Sequence, residues 1–209
     1  WLRAGGSLYT SPEGRLSPDG RISRVTAQIH RVLHDSPSTT PVVPIMLTYD
    51  FMRPGRMRAY VRVALPIARA PMLAPAKLDA LLRAGWIAEA TFTCTQIASA
   101  WLIERGPEPF TTGELAAAIY ADARRLQSSG HHVTAELLRP AGALQAARSY
   151  LGWSARHRVV GRAGRNRWRA LPQPTMHVPI GDVGYRRWPL AYANNEYHEW
   201  REGTADTRA

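Results

Sequence analysis

The chain has 209 residues, of which 45% are hydrophobic and 21% are charged, and its formal net charge is +11. No apolar run approaches the roughly 18–20 residues that cross a bilayer, which excludes a membrane-spanning segment in this sequence. The single cysteine, Cys94, excludes an internal disulfide and provides no zinc framework, so we expect it to be a small residue of the core.

The basic residues are nearly all arginine, since Lys77 is the one lysine among 27 basic side chains. Arginine carries a planar guanidinium whose forked donors fit a phosphate group. An anionic membrane surface, an acidic carrier protein or a nucleic acid would each be attracted by this charge.

The first predicted elements are a short strand around Leu8 and a loop over Ser11–Ser17, with the sequence SPEGRLS. Gly14 lets the backbone approach a ligand, while Glu13 can accept a hydrogen bond from a hydroxyl and Arg15 can donate to phosphate. The loop therefore predicts a site for a polar headgroup. An ordinary surface turn is the alternative, because proline, glycine and serine are common turn residues.

A helix and two strands are predicted next. Apolar residues recur at helical spacing over Ile22–Leu33, and the runs Pro41–Tyr49 and Arg58–Leu65 have the composition of strands. A turn at Arg53–Arg56 would pair the two strands. We expect Pro41–Tyr49 to lie beside the Leu8 strand in a partial α/β sheet.

A helical region is predicted after Ala68–Ala76, where two prolines end the strand pattern. Thr111 and Glu114 form the sequence pattern of a capping box, and Gly130 marks the end of the helix that follows. Three further helical segments are expected. One carries Leu78, Leu81, Leu82 and Trp86 on one face, a buried one lies within Thr91–Ile103, and one spans about Ala141–Leu151.

An arginine-rich hairpin is predicted over Arg156–Leu171, with its turn at Ala163–Gly164. Six of the 14 residues of Arg156–Arg169 are arginine and none is acidic. Helices followed by such a hairpin outline a winged helix, whose wing would contact phosphate. The alternative function is therefore a nucleic-acid-binding module that uses this hairpin.

Four segments together resemble the glycerol-3-phosphate and lysophosphatidate acyltransferase superfamily. The loop Ser11–Ser17 is similar to its Phe-Pro-Glu-Gly-Thr-Arg-Ser block, although Ser11 replaces the aromatic residue and Arg15 follows Gly14 directly. The run VVPIMLTYD is similar to its Val-Pro-Val strand. TFTCTQIASAWLI resembles the segment that follows the catalytic domain in the larger glycerol-3-phosphate acyltransferases. LAYANNEYH resembles a signature toward the C-terminus of those enzymes.

The resemblance implies acyl transfer from acyl-CoA or acyl carrier protein to the hydroxyl of glycerol 3-phosphate or a lysophospholipid. It also implies a peripheral location at the cytoplasmic face of a membrane, with no metal or cofactor. Glu13 would orient the glycerol hydroxyls, Gly14 and Arg15 would bind phosphate, and Ser17 would belong to the same substrate site. Pro44 would lie in the floor of the acyl-donor cleft. Nucleic acid is the less favoured partner, because a winged helix leaves three of the four resembling segments unexplained.

The catalytic histidine of this superfamily belongs to a His-x4-Asp block upstream of the loop, and we expect this chain to be a fragment that is inactive by itself. His30 and Asp35 match that spacing, but they follow the loop and lie in or after the predicted helix, so we expect them to be exposed residues of a helix end. The resulting fold class is α/β. Residues 1–73 would be the C-terminal part of the catalytic domain, 77–171 a mainly helical, winged-helix-like region, and 172–209 an extension.

Overall fold

Helices and short strands alternate along the chain, and the predicted class, α/β with a helical region, is confirmed. The structure is a computed structural model that describes residues 2–10, 20–22, 25–172, 176–180, 183–187 and 189–203. No helix in these ranges is long and apolar enough to cross a membrane.

A helix and a β-hairpin form the first part of the described chain. Helix α1 spans Ala27–His34, and strands β1, Ile45–Asp50, and β2, Arg58–Val63, pair antiparallel from Ile45 opposite Val63 to Asp50 opposite Arg58. The predicted pairing of these two strands is confirmed. Helix α1 begins five residues later than expected, after Thr26, because the backbone of Ile22 is hydrogen-bonded to a distant helix instead.

The strand predicted at Leu8 is wrong. A short 3₁₀ turn spans Leu2–Ala4, and Leu8 and Tyr9 lie outside any strand, with 55% and 75% of their surface exposed. Two apolar residues after a pair of glycines are too short a hydrophobic pattern to specify which strand they would pair with. Among the described residues, β1 is therefore paired with β2 alone, and the expected sheet through Leu8 is not formed.

The two faces of the β1–β2 hairpin differ in their surroundings. Thr48 and Asp50 are buried on the face toward the helices. The opposite face is apolar and between 37% and 61% exposed, and we call it the apolar sheet face: Ile45, Leu47, Tyr49, Val61 and Val63.

Four helices follow the hairpin in chain order. They are α2, Pro75–Glu89, α3, Cys94–Arg105, α4, Thr112–Ser128, and α5, Pro140–Arg156. Both α3 and α4 begin with a complete capping box, formed by Thr93 with Gln96 and by Thr111 with Glu114. The box predicted at Thr111 is thus confirmed, and α3 is buried on all sides from Cys94 to Ala100, whereas Ile103 near its end is 39% exposed and not buried as predicted. At the end of α4, Gly130 adopts a φ of +84° and allows His131 to donate its backbone N–H to the carbonyl of Leu126.

A three-stranded antiparallel sheet joins the helical region. Strand β4, Phe110–Thr111, pairs with β7, Arg167–Ala170, which pairs with β6, Val160–Gly164. This region has the element order and the strand order of a winged helix, which consists of a helix, a strand, two helices and two strands. The hairpin turn lies at Arg165–Asn166 and not at Ala163–Gly164 as predicted. Asparagine tolerates the left-handed backbone that the turn requires, and Asn166 has a φ of +64°.

The last helix closes the core. Helix α6, Pro189–Gly203, follows a hairpin of β8, Met176–Ile180, and β9, Val183–Arg187, and packs along α3. Its residues Tyr197 and Trp200 meet Phe92 edge to face, with ring centroids 5.6 and 5.7 Å apart. Phe92 belongs to β3, Thr91–Phe92, which pairs in parallel with β5, His132–Val133. The segment LAYANNEYH is therefore part of the main core.

Candidate functional site

The predicted substrate residues Glu13, Gly14, Arg15 and Ser17 lie outside the described residues. Their predicted roles stay predictions. The described chain resumes at Gly20, and Gly20 and Ile22 contact helix α6.

Gly20 lies directly against helix α6. Its φ is +83°, and a Cβ atom built on it would be 2.4 Å from the backbone oxygen of Tyr192 and 3.1 Å from Cγ of Glu196. Only a residue without a side chain fits this backbone conformation and this close approach. Glycine thus lets the end of the loop segment touch the helix backbone.

Ile22 is held two residues further on by what we call the exit clasp, formed by Ile22, Arg83 and Glu199. The backbone N–H of Ile22 donates to Oε2 of Glu199 at 2.8 Å, and its carbonyl accepts from Nη1 of Arg83 at 3.1 Å. Arg83 also pairs with Oε1 of Glu199. The Glu199 side chain is only 9% exposed, whereas that of Arg83 is 48% exposed, so a covered carboxylate is paired with a guanidinium at the protein surface. The clasp connects helices α2 and α6 through the exit of the loop.

Gln96 joins three distant segments beside the exit clasp. Its amide nitrogen donates to Oε2 of Glu196 at 2.8 Å and lies 3.4 Å from the carbonyl oxygen of Tyr49. The pKa of Glu196 is raised to about 8, mainly by burial; the hydrogen bond from Gln96 lowers it, and the negative charge of Glu199 raises it. A pKa in this range favours the neutral carboxylic acid at pH 7, and this group lies beside Gly20.

A second buried polar cluster lies where β1 ends and α3 begins. Oδ1 of Asp50 accepts from the hydroxyls of Thr95 at 2.7 Å and Thr93 at 3.3 Å, and its Oδ2 lies 3.6 Å from Nη1 of Arg53. The Thr95 hydroxyl oxygen in turn accepts from the backbone N–H of Met52 at 3.1 Å. These bonds satisfy a buried carboxylate and fix the hairpin on the first turn of α3.

The sequence reading did not assign roles to Asp50, Gln96, Glu196 or Glu199. A signal was nevertheless present for the last two, since carboxylates three residues apart in a helix lie on one face. Threonines and a glutamine inside the otherwise apolar run TFTCTQIASA were a second signal.

His30 and Asp35 lie in α1 and directly after it, which confirms the predicted position of this His-x4-Asp spacing. Nε2 of His30 is 3.0 Å from Oδ1 of Asp79 in α2, while Asp35 is 3.3 Å from the neighbouring His34. Asp35 therefore does not orient the His30 ring. Their separation from Glu13 and Arg15 stays a prediction, because those two residues are outside the described ranges.

Cys94 and Pro44 are two further residues whose positions were predicted. Cys94 is buried in the main core, as predicted, and burial raises the pKa of its thiol well above the usual value. Pro44 is buried against helix α2, where its Cγ would lie 3.1 Å from a Cβ atom on Gly85. Its predicted place in an acyl-donor cleft stays a prediction.

An open groove of about 580 Å³ lies between α3, α4 and α6. Its floor is apolar around Ala100 and Ala118, and its rim is charged. On that rim the Tyr197 hydroxyl donates to Oδ2 of Asp122 at 2.7 Å and accepts from Arg125 at 3.1 Å. This groove lies on another side of α6 from Gly20, since Tyr197 and Glu196 are adjacent residues of the helix.

The β6–β7 hairpin carries four exposed arginines, and we call it the basic hairpin: Arg162, Arg165, Arg167 and Arg169. The guanidinium of Arg162 lies over the Trp168 ring, 3.9 Å from its centroid, and Trp168 Nε1 donates to the Thr112 hydroxyl at 3.2 Å. Arg162 is thus held by a cation–π contact with a ring that is itself fixed to α4.

Comparisons of the chain with protein-family models, with curated proteins and with solved structures find no match. Its function is therefore inferred from its own residues and contacts.

Proposed function

We propose that this chain is part of a glycerolipid acyltransferase. It would bind glycerol 3-phosphate or a lysophospholipid and contribute to acyl transfer from acyl-CoA or acyl carrier protein, at the cytoplasmic face of a membrane. Phospholipid biosynthesis is the corresponding process. The proposal starts from the resemblance of four separate segments to this superfamily.

The contacts of Gln96 are the observation that supports the proposal most. Gln96 belongs to the TFTCTQIASA segment and contacts Tyr49 of the VVPIMLTYD segment and Glu196 of the LAYANNEYH segment. Gly20, at the exit of the PEGR loop, touches Glu196 as well. Three of the four segments that carry the resemblance thus meet at Gln96, and Gly20, three residues after the fourth segment in the chain, lies beside one of them.

In the proposed reaction a histidine from a His-x4-Asp block, outside this sequence, removes the proton from the acceptor hydroxyl. The hydroxyl oxygen attacks the thioester carbonyl, the C–O bond forms, the C–S bond breaks, and the thiol leaves with the proton. Glu13 orients the glycerol hydroxyls, and Gly14, Arg15 and Ser17 bind the phosphate end. The exit clasp fixes the backbone of Ile22, five residues after Ser17 in the chain.

Binding of glycerol 3-phosphate to the chain, measured by titration calorimetry, tests the proposal. Arg15→Ala removes a charge-assisted contact with phosphate and should weaken binding about tenfold to a hundredfold. Arg31→Ala, at an exposed position of α1, is the matched control and should leave the affinity unchanged. Glycerol, which lacks the phosphate, should bind equally weakly to all three proteins. Equal affinity of the parent protein and the Arg15 variant for glycerol 3-phosphate would exclude Arg15 as the phosphate ligand.

Nucleic-acid binding is the second candidate, because the strand order β4–β7–β6 places the basic hairpin where a wing would be. The corresponding recognition helix would be α5. That helix is partly covered, however, since a Cβ atom on Gly152 would be 3.8 Å from Pro54, and Trp153 meets Phe51 edge to face at 6.5 Å. The β1–β2 hairpin therefore occupies part of the surface of α5, while Gln145, Arg148 and Arg156 of this helix remain exposed.

A further inference from the structure

The chain contains a long stretch with a single sign of charge. Residues 137–181 include eight arginines and no acidic residue. Four of these arginines form the basic hairpin and are exposed. None of the ion pairs found in the described part of the chain involves these four, so their charge is available to a partner.

The two strands of the basic hairpin expose their arginines differently. Arg167 and Arg169 project from one face of β7, and the residues opposite them on β6 are Gly164 and Gly161. No side chain of β6 therefore lies directly opposite these two arginines, while Thr111 of β4 lies opposite Arg167 on the other side. Arg165 lies in the turn between the strands, at the tip of the hairpin.

The positive charge of Arg167 acts on the carboxylate of Glu114, whose pKa is lowered. The largest cause is the backbone hydrogen bond from Thr111 within the capping box, and the charges of Arg105 and Arg167 add to it. Because Glu114 is already bonded to Thr111 and Arg105, it leaves Arg167 largely uncompensated.

We propose that the basic hairpin attaches the protein to the anionic phosphate headgroups of a phospholipid membrane. The choice of a lipid surface rests on the proposed function, whose products are glycerolipids, and on the phosphate groups that such a surface presents to exposed arginines. A protruding hairpin with uncovered guanidinium groups can approach a flat surface of phosphates without help from a recognition helix. The tip carries no apolar side chain, so the attachment is electrostatic.

The expected strength follows from the number of arginines. Each basic residue close to an anionic bilayer increases partitioning about fivefold, so removing Arg167 and Arg169 together should reduce it about 25-fold. Because mobile ions screen charges beyond about 8 Å at physiological ionic strength, binding should also fall as salt is added.

Sedimentation with phosphatidylcholine vesicles, with and without phosphatidylglycerol, tests this proposal. The parent protein should bind only the vesicles that contain phosphatidylglycerol, and Arg167→Gln/Arg169→Gln should lose most of that binding. Arg31→Gln/Arg124→Gln removes the same charge from exposed positions of α1 and α4 and should bind like the parent. Arg167→Lys/Arg169→Lys keeps the charge and should keep the binding.

Three outcomes would overturn the proposal. They are unchanged vesicle binding in the Arg167/Arg169 glutamine variant, an equal loss in the Arg31/Arg124 control, and tighter binding of duplex DNA than of vesicles at the same salt concentration. Glycerol 3-phosphate binding is measured in the same proteins and should not change with Arg167 and Arg169. Failure of that binding in the parent would reject the proposed function, whereas failure of vesicle binding would reject only the membrane-attachment surface.

Discussion

Gly20 and Gly55 show how the surroundings of a residue decide its importance. Their φ angles are nearly equal, +83° and +82°. Gly55 lies in the turn between β1 and β2, and nothing lies within 4 Å of a Cβ atom built on it. Gly20 lies against the backbone of Tyr192. Replacing each glycine by alanine and comparing the two variants therefore separates the free-energy cost of a left-handed backbone from the cost of lost contact with α6.

We expect Gly55→Ala to destabilise the protein by about 1–2 kcal/mol through its left-handed backbone alone. Gly20→Ala should cost about 1–3 kcal/mol more, because the new methyl group must displace a backbone carbonyl of α6. Chemical denaturation of both variants measures the difference. Equal losses of unfolding free energy would mean that residue 20 does not contact α6 in solution.

Glu196 is expected to make stability depend on pH. Its folded-state pKa is raised to about 8 by burial. An unfolded glutamate has a pKa of about 4.3. Between these values the unfolded chain releases a proton that the folded chain retains, so unfolding becomes more favourable as pH rises, by up to about 1.4 kcal/mol per pH unit. The stabilising contribution is complete below the unfolded pKa and lost as pH rises to the folded one.

Glu196→Gln should remove this dependence, because an amide stays neutral and can still accept the hydrogen bond from Gln96. The free energy of unfolding, measured across weakly acidic to weakly alkaline pH, should fall less steeply in the variant than in the parent. Glu108→Gln, at an exposed position between α3 and β4, is the matched control and should keep the parental slope. Parallel curves for all three proteins would contradict a raised pKa of Glu196.

Among the secondary-structure elements, the junction of β1 and α3 depends most on buried polar groups. Thr93 caps α3 and Thr95 lies in its first turn, and both hydroxyls reach Asp50 at the end of β1. The hairpin is thereby attached to the most buried helix of the described chain. A carboxylate in such a position is stabilising only while its donors are present.

Thr95→Val should cost about 1–3 kcal/mol or more, because it removes a donor from the Asp50 carboxylate and the acceptor of the Met52 N–H without changing the side-chain volume much. Thr39→Val, at an exposed position before β1, should have little effect. Thermal unfolding of the two variants compares them. A loss as small as that of the control would show that the hydroxyl contributes nothing to this junction.

Elements were predicted well where local pattern and caps agree. Helix α4 has a capping box, an apolar stripe and a terminal glycine, and all three were found as predicted. The strand predicted at Leu8 is wrong because a strand forms only with a pairing partner. The turn of the basic hairpin was predicted two residues too early, because the prediction chose a glycine turn where the structure uses asparagine. The cluster around Gln96 was beyond the reach of sequence patterns, since its partners are 47 and 100 residues away.

In the whole molecule, helix α6 connects the predicted segments to one another. It contacts α3 along its length, holds Ile22 through Glu199, and contributes Trp200 to the core. The division into residues 1–73, 77–171 and 172–209 stays a prediction. The Asp50–Thr95 bond, together with the Arg62–Glu89 and Arg58–Glu136 ion pairs, crosses the first boundary. We therefore expect the described segments to unfold together.

Trp200→Ala tests this expectation, because Trp200 is only 1% exposed and packs against Phe92. Its loss should cost about 3–5 kcal/mol, and hydrogen exchange should accelerate in the β1–β2 hairpin as well as in α3. Trp200→Phe keeps an aromatic ring and removes an indole N–H that has no hydrogen-bond partner in the structure, so it should cost much less. Faster exchange confined to α3 and α6 would instead support separate unfolding of the hairpin.

The apolar sheet face has a consequence for how the isolated chain behaves in the test tube. Ile45, Leu47, Val61 and their neighbours remain in contact with water, and among the described residues β1 is hydrogen-bonded along one side only. Such an edge can template the addition of strands from other molecules, and the net charge of +11 opposes their encounter through repulsion. Whether the chain stays in solution therefore depends on the balance between attraction through the apolar sheet face and repulsion between molecules of the same net charge. Added salt screens the repulsion and shifts this balance toward precipitation, so dilute, low-salt solutions are the conditions in which single molecules of this chain persist.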